Sequence, residues 1–349
     1  MSTAPPDLSV PADAPPTTAP VGTADEAELK SELDAFREDF AKLRAEVGRV
    51  IVGHANIVDG TLTALIAGGH VLLEGVPGLG KTLLVNTLAN ALSVTFGRVQ
   101  FTPDLMPADL VGTNVVTEDE HGRKRFEFQK GPVFAHVLLA DEVNRATPKT
   151  QSALLEAMQE KCVTVGGTTH KLPSPFLVLA TQNPLEMEGT YPLPEAQLDR
   201  FFVKLLVEFP TADDLGEILN RTTATDVPSA QPVLDGDRVL EMRALARQVP
   251  IADEVRDRAV ALTLATHPGH PSAPEAVKKY VRFGSSPRGA QALVLGAKVR
   301  AILDGRFHVA KDDLHDAAPA VLRHRLILGF EGQAEGVAAD DVIAAVVKS

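Results

Sequence analysis

A chain of 349 residues, 44% hydrophobic and 23% charged, has ample apolar material for a core and, at ~100–200 residues per domain, room for about two domains. Its formal net charge of -12 and 5% aromatic content, with no Trp, argue against a protein that coats nucleic acid, because phosphate neutralisation and base stacking need the reverse. The single cysteine, Cys162, excludes an intramolecular disulfide framework and a cysteine-rich metal site; no run approaches the ~18 apolar residues of a membrane span, and no basic residue precedes Lys30 to open a secretory signal, so a cytoplasmic protein with no direct membrane insertion is expected.

Residues 1–24 hold six of the 25 prolines and almost nothing large and apolar. Such a segment buries too little surface to offset its ordering entropy, and a disordered tail is expected. From near Asp25, Leu29, Leu33, Phe36, Phe40, Leu43 and Val47 fall at steps of four and three, the stripe of a helix docked on the adjoining domain. Short apolar runs at 70–73, 134–140, 176–180 and 202–207 then alternate with helical stretches at 82–92 and 149–159, the pattern of a parallel sheet covered on both faces. Two hairpins interrupt it: 111–117 with 124–128, and 162–165 with 168–172 around Gly166-Gly167, a favoured two-residue turn. After Pro210 the strand pattern stops. Residues 211–235 are polar and read as a hinge, and 238–248, 253–266, 287–303 and 311–322 read as helices. The expected organisation is an α/β core over 25–210 and a hinge with a smaller all-helical lid over 211–349. There is no internal repeat.

The strongest chemical signal is Gly75-Val76-Pro77-Gly78-Leu79-Gly80-Lys81-Thr82, which follows one predicted strand and opens a helix. This spacing lets backbone N–H groups surround a phosphate at a helix N-terminus, where the dipole also favours an anion. Lys81 adds positive charge near the β- and γ-phosphates, and the Thr82 hydroxyl can join a Mg²⁺ shell. A bare glycine turn is the plainer alternative, but it explains neither the lysine nor the strand–loop–helix setting.

The run 134–140 ends in Asp141-Glu142. Behind a phosphate loop, an Asp at such a strand end holds Mg²⁺, and an adjacent Glu can polarise water for attack; alone, the pair would read as a helix cap. A third strand ends in Thr181-Gln182-Asn183-Pro184, where Asn183 can orient that water or merely form an Asn-Pro turn. Arg200, in Gln197-Leu-Asp-Arg200-Phe, and Arg288, behind Pro287 at a helix start, are candidates to stabilise phosphoryl charge, a contribution that can reach ~10³–10⁵ in rate. Spacing alone does not separate them from solvated surface arginines.

With these motifs in this order, residues of about 40–330 resemble the MoxR family of AAA+ ATPases. The resemblance is carried by Gly69 through Thr82, Phe101-Thr-Pro-Asp-Leu-Met-Pro-Ala-Asp-Leu-Val-Gly112, Gly131-Pro132, Leu138 through Ala146, Gln151 through Glu160 and Ala180 through Pro184. It implies an αβα P-loop core with a helical lid, a homo-oligomeric ring that is usually hexameric, and ATP with Mg²⁺ bound between subunits. Position by position, Gly75–Thr82 with Leu83 resemble the Walker A loop, Asp141 and Glu142 Walker B, Asn183 sensor 1, Arg200 the arginine finger and Arg288 sensor 2. The resemblance leaves open whether Arg288 serves its own subunit's nucleotide or a neighbour's. Arg145 matches a position near the subunit interface, and the two hairpins match the helix-2 insert and the hairpin before sensor 1, on the pore side.

Two positions depart from the family. Val52-Gly53-His54 stands where Val-Gly-Gln is common, so His54 takes the place of a base contact; Leu79-Gly80 stands where relatives often carry Leu-Ala. The resemblance implies ATP hydrolysis coupled to remodelling partner proteins, with clients bearing a von Willebrand factor type A domain. A nucleic-acid-dependent motor and an ATP-binding scaffold with little turnover are the alternatives; the first is opposed by the acidic balance, the second by the intact Asp141 and Glu142. No Asn-Lys-x-Asp element reads guanine. His267-Pro-Gly-His270 reads as a turn rather than a metal site, Cys162 as a small buried hydrophobe and 277–282 as a solvated basic face.

Overall fold

The computed structural model describes residues 23–349 except Pro77, residues 119–122, residues 184–188, Thr225 and Val227. In chain order the elements are α1 (Thr23–Val50), α2 (Ala55–Ala67), β1 (Val71–Glu74), α3 (Lys81–Ala91), β2 (Phe96–Gln100), α4 (Pro107–Val111), β3 (Gly112–Glu118), β4 (Lys124–Lys130), β5 (Val137–Asp141), a 3-10 turn (Val143–Arg145), α5 (Pro148–Glu160), β6 (Cys162–Val165), β7 (Thr168–Lys171), β8 (Leu177–Gln182), α6 (Glu195–Leu198) and β9 (Val203–Leu206). The C-terminal part adds α7 (Ala212–Thr222), α8 (Gly236–Gln248), α9 (Asp253–Ala265), α10 (Glu275–Tyr280), β10 (Val281–Phe283), α11 (Pro287–Leu303), α12 (Lys311–Leu322), β11 (Ile327–Leu328), α13 (Phe330–Ala334) and α14 (Ala339–Lys348).

The central sheet is parallel, in the order β2-β5-β8-β1-β9. Alternation along its strands splits the core. Val71, Leu73, Val137, Leu139, Leu177 and Leu179 face one side, with α1, α2, α3 and the lid helices. Leu72, Leu138, Ala140, Val178 and Ala180 face the other, with α4 and α5. Burial on both faces accounts for the apolar strand sequences. On α1, Phe36, Phe40, Leu43 and Val47 are buried, as their spacing requires.

The expected parallel sheet covered by helices and the helical lid are both present. The differences are local. Of the tail expected over 1–24, residues 1–22 lie outside the described residues, and Thr23 and Ala24 already belong to α1. A fifth strand, β2, sits at the sheet edge, where only Val99 is buried, so no apolar run announces it. Strand β5 starts at Val137 rather than 134: Phe134 instead joins Phe128 and His170 in an aromatic cluster, with Phe128 and His170 stacked at 3.9 Å. That cluster ties the β3–β4 hairpin to the β6–β7 hairpin; both hairpins form as expected, although residues 119–122 of the first turn lie outside the described residues. The stretch read as a hinge contains α7, whose N-cap Thr211 accepts from Asp214 N–H at 3.2 Å. Within the helical lid, β10 and β11 form a short antiparallel ribbon, with Val281 opposite Leu328.

Candidate active site

Strand β1 lies between β8 and β9 and delivers the chain into the Gly75–Gly80 loop. Gly75 N–H donates to the Gln182 carbonyl at 3.2 Å, and a Cβ at Gly75 would stand 2.6 Å from the Val207 carbonyl oxygen. Gly78 and Gly80 take left-handed φ values of 85° and 73° with open space around them, so backbone conformation rather than crowding demands glycine there. Gly80 caps α3 with no side-chain cap bond, and the N–H groups of a helix's first turn have no partner within the helix. Of the loop residues singled out from the sequence, Pro77 lies outside the described residues.

Lys81 Nζ donates to the loop carbonyls of Gly75 at 2.6 Å and Val76 at 3.1 Å. Burial pulls its pKa below the usual lysine value, and Asp141 and Glu142 pull it back up. Thr82 follows on the first turn of α3. Beside the loop lies a cavity of about 340 Å³ whose wall includes Ile51, His54, Leu79, Leu83, Phe209 and Leu215. His54 opens α2 at a left-handed φ of 53° and makes no side-chain cap bond, which leaves its ring available to the cavity.

Asp141 ends β5. Its Oδ1 accepts from Thr181 Oγ1 at 2.7 Å and its Oδ2 from Arg98 at 3.0 Å. Glu142, at a left-handed φ of 57°, donates its N–H to Thr181 Oγ1 at 2.8 Å, and its Oε2 accepts from Gln100 at 2.8 Å and Arg145 at 3.0 Å. Arg145, matched in sequence to an interface position, is therefore paired within its own subunit. Asn183 is buried one residue past β8, the strand between β1 and β5; Pro184 lies outside the described residues.

Arg98 and Gln100 carry no signal of their own in the sequence, and Thr181, at the tip of the third predicted strand, is given no role there. Arg98 and Gln100 alternate on β2, with Gln100 in register with Asp141. The polar pair Arg-x-Gln before the buried Phe101 was the available signal, but it has meaning only once β2 is known to neighbour β5.

Arg200 and Arg288 stand elsewhere. Arg200 precedes β9, which runs parallel to β1 with Val203 opposite Val71, so it sits at the N-terminal end of strands whose C-terminal end carries the loop. At ~3.3 Å per residue these two ends are separated by the length of the strands. Arg200 lines a second cavity of about 410 Å³ with Glu156, Gln159, Glu160 and Gln197, and its Nε is buried with no hydrogen-bond partner among the described residues. Arg288, on α11, donates to Gln159 Oε1 at 3.4 Å and lies 3.8 Å from Asp199 Oδ2. Gln159 thus bonds Arg288 and shares the second cavity with Arg200, and neither arginine lines the cavity beside the loop.

The remaining candidates have structural partners. His267 bonds the Ser285 carbonyl and His270 the Ser272 hydroxyl. Cys162 is half-buried in β6. Lys278 and Lys279 pair with Glu275 and Glu335. Among the described residues no cluster of three or more His, Cys, Asp or Glu is arranged for a metal, and no helix is long and apolar enough to cross a membrane.

The sheet order, the loop and the helical lid define an AAA+ ATPase fold. Residues 70–203 match the profile of the ATPase family associated with various cellular activities (AAA), and residues 273–346 match the AAA lid domain. The chain is 44% identical over 304 residues to chaperone MoxR1 of Mycobacterium tuberculosis, covering 87% of this chain and 80% of that one. It is 33% identical to protein MoxR of Methylorubrum extorquens, covering 85% and 90% of the two chains. The crystal structure of a candidate ATPase from Cytophaga hutchinsonii superposes with a TM-score of 0.85 at 42% identity, covering 93% of this chain and 97% of the other. The chain belongs to the MoxR family of AAA+ ATPases.

Proposed function

We propose that the chain hydrolyses ATP to ADP and phosphate in a homo-oligomeric ring, hexameric as the family resemblance implies, and uses the cycle to remodel or mature partner proteins. The observation that carries this reading is the division of the site. The loop and its carboxylates occupy one end of the sheet, while Arg200 and Arg288 lie together at the other. An isolated subunit is then incomplete, and a neighbour's arginines complete it. The same division favours Arg288 acting on the neighbour's nucleotide.

The residues fit ATP and Mg²⁺. Gly78 and Gly80 leave open space over the loop, the N–H groups of the first turn of α3 suit phosphate oxygens, and the apolar cavity beside them, with His54 on its wall, suits a base. Thr82 and Asp141 would hold Mg²⁺, which when bound neutralises charge on the β- and γ-phosphate oxygens. Lys81 leaves the Gly75 and Val76 carbonyls to meet phosphate, and Arg98, whose side chain is half-exposed, gives up Asp141. Glu142, aimed by Gln100 and Thr181, accepts the proton of the attacking water, and Asn183 orients that water. Arg200 and Arg288 of the neighbouring subunit face the transferred charge.

The experiment is steady-state phosphate release by Arg200→Ala and Lys81→Ala chains whose oligomeric state is measured alongside. Loss of turnover by both, with assembly retained, is expected; assembled Arg200→Ala rings turning over at the wild-type rate would remove the finger role. For the client, Glu142→Gln is expected to hold ATP without turnover and to retain, in an ATP-dependent way, a protein with a von Willebrand factor type A domain. Nucleic acid retained instead would favour the motor reading, and wild-type chains that bind ATP without turnover the scaffold.

A further inference from the structure

Four cations from two helices and the end of a third gather at the N-terminal end of the sheet strands, away from the loop. Lys161 closes α5 at a left-handed φ of 54° and is exposed. Arg243 and Arg247 lie one turn apart on α8 and so share a face. Arg243 donates to the Leu65 carbonyl at 2.8 Å and covers Gly68, where a Cβ would stand 3.1 Å from its Nε. Lys298 of α11 donates to the Arg247 carbonyl at 2.9 Å. His70, two residues past Gly68, reaches the Met158 carbonyl in the last turn of α5 at 3.1 Å, which brings the Lys161 and Arg243 ends of the group together.

None of the four forms an ion pair among the described residues, although the chain carries 46 Asp and Glu. Their mutual effect runs the same way: Lys161, exposed at one side but partly shielded from water by its neighbours, is pushed below its usual pKa by that desolvation and then by Arg243 and Arg247, and Lys298 by burial and then by Arg247. Arg243 Nε is buried with no hydrogen-bond partner among the described residues. A like-charged group left uncompensated inside one chain is stabilised by negative charge brought from outside.

We propose that the seam of Lys161, Arg243, Arg247 and Lys298 docks an acidic, carboxylate-rich segment of a partner protein. The charges are spread over several elements rather than focused on one point, which suits an extended run of carboxylates better than a single anion. The scarcity of aromatics and the net charge of -12 disfavour a nucleic acid strand, which would draw on stacking and a wider basic field. The proposal names the chemistry of the partner and rests on the reading that partner proteins are bound; because its test needs no nucleotide, it stands or falls separately from hydrolysis.

The test is fluorescence anisotropy of a labelled deca-glutamate peptide with the full chain at low and high salt. Binding that weakens with salt is expected, with a loss of roughly ten-fold or more in affinity in Lys161→Glu/Arg247→Glu and a smaller loss in the charge-neutral Arg247→Gln. Thermal melting identifies which variants are folded, and Arg247→Gln carries the comparison where the double reversal is not. No binding by the wild-type chain, equal binding by the folded variants, or tighter binding of a ten-nucleotide single strand than of the peptide would overturn the proposal.

Discussion

Asp199 and Arg325 join the ATPase core to its lid. Arg325, nearly fully buried, donates Nε to Asp199 Oδ1 at 2.9 Å and Nη2 to the Asp199 carbonyl at 3.2 Å. The same carboxylate accepts from Ser286 Oγ at 2.8 and 2.7 Å. Ser286 in turn caps α11, accepting from Arg288 N–H at 3.1 Å. Asp199 directly precedes Arg200 and lies 3.8 Å from Arg288, so one anchored carboxylate stands beside both arginines proposed to reach a neighbouring subunit. Burial pulls the Arg325 pKa down and Asp199 holds it up.

Removing this carboxylate strands a buried guanidinium. Asp199→Asn is expected to cost about 3–5 kcal/mol of stability, seen as a fall in melting temperature, and to depress phosphate release because Arg288 loses its anchored helix start. Arg288→Ala, by contrast, is expected to leave the melting temperature nearly unchanged, since its side chain is half-exposed. Equal melting of Asp199→Asn and wild type would show that the core–lid tie is not structural.

Gln100 aims Glu142. A hydrogen bond to a charged group contributes about 1.5–3 kcal/mol, and Arg145 still holds the same oxygen, so Gln100→Ala is expected to lower kcat by roughly ten-fold with little change in KM. A raised KM at constant kcat would assign Gln100 to substrate binding instead.

Gly80→Ala tests the loop. A side chain at φ 73° costs about 1–2 kcal/mol and finds open space, so the fold is expected to survive while nucleotide affinity falls. Gly75→Ala meets the Val207 carbonyl and is expected to lower the melting temperature as well. Binding of a fluorescent ATP analogue together with thermal melting separates the two; unchanged affinity in Gly80→Ala would contradict the phosphate role of the loop.

The fold and the loop were legible because their signals are contiguous: one eight-residue motif, and apolar strands ending in Asp141-Glu142 and Asn183. What stayed hidden was carried by neighbours distant in the chain. Strand β2 buries one residue, so Arg98 and Gln100 looked like ordinary solvent-facing side chains until β5 was placed beside them. The contact of Asp199 with Arg325 spans 126 residues, and nothing local in either segment announces it. Helix α7 was hidden by its polarity, although Thr211 and Asp214 form a capping box that the run Thr-Ala-Asp-Asp does signal.

His70 sets a pH limit. It is buried, accepts from Val178 N–H at 3.0 Å on Nδ1 and donates Nε2 to the Met158 carbonyl, a pairing that requires the neutral ring. Burial lowers its pKa from 6.5 to about 4, with Lys161 and Arg243 adding to the shift. Between these values the unfolded chain binds a proton that the folded chain does not, so stability is full above about pH 6.5 and falls toward pH 4, by about 3 kcal/mol from this group. Buried His324 shifts in the same direction. Urea unfolding at stepped pH checks the slope; stability flat across this window would contradict the neutral, buried His70.

The division of the site between subunits is tested most directly by mixing. Lys81→Ala chains lack a working loop and Arg200→Ala chains lack the arginine, so each alone is expected to be inactive. In mixed oligomers, an intact loop from an Arg200→Ala chain meets an intact Arg200 from a Lys81→Ala chain. Phosphate release that reappears on mixing is the predicted result. Mixtures that form joint oligomers yet stay as inactive as their components would contradict a site shared between neighbours.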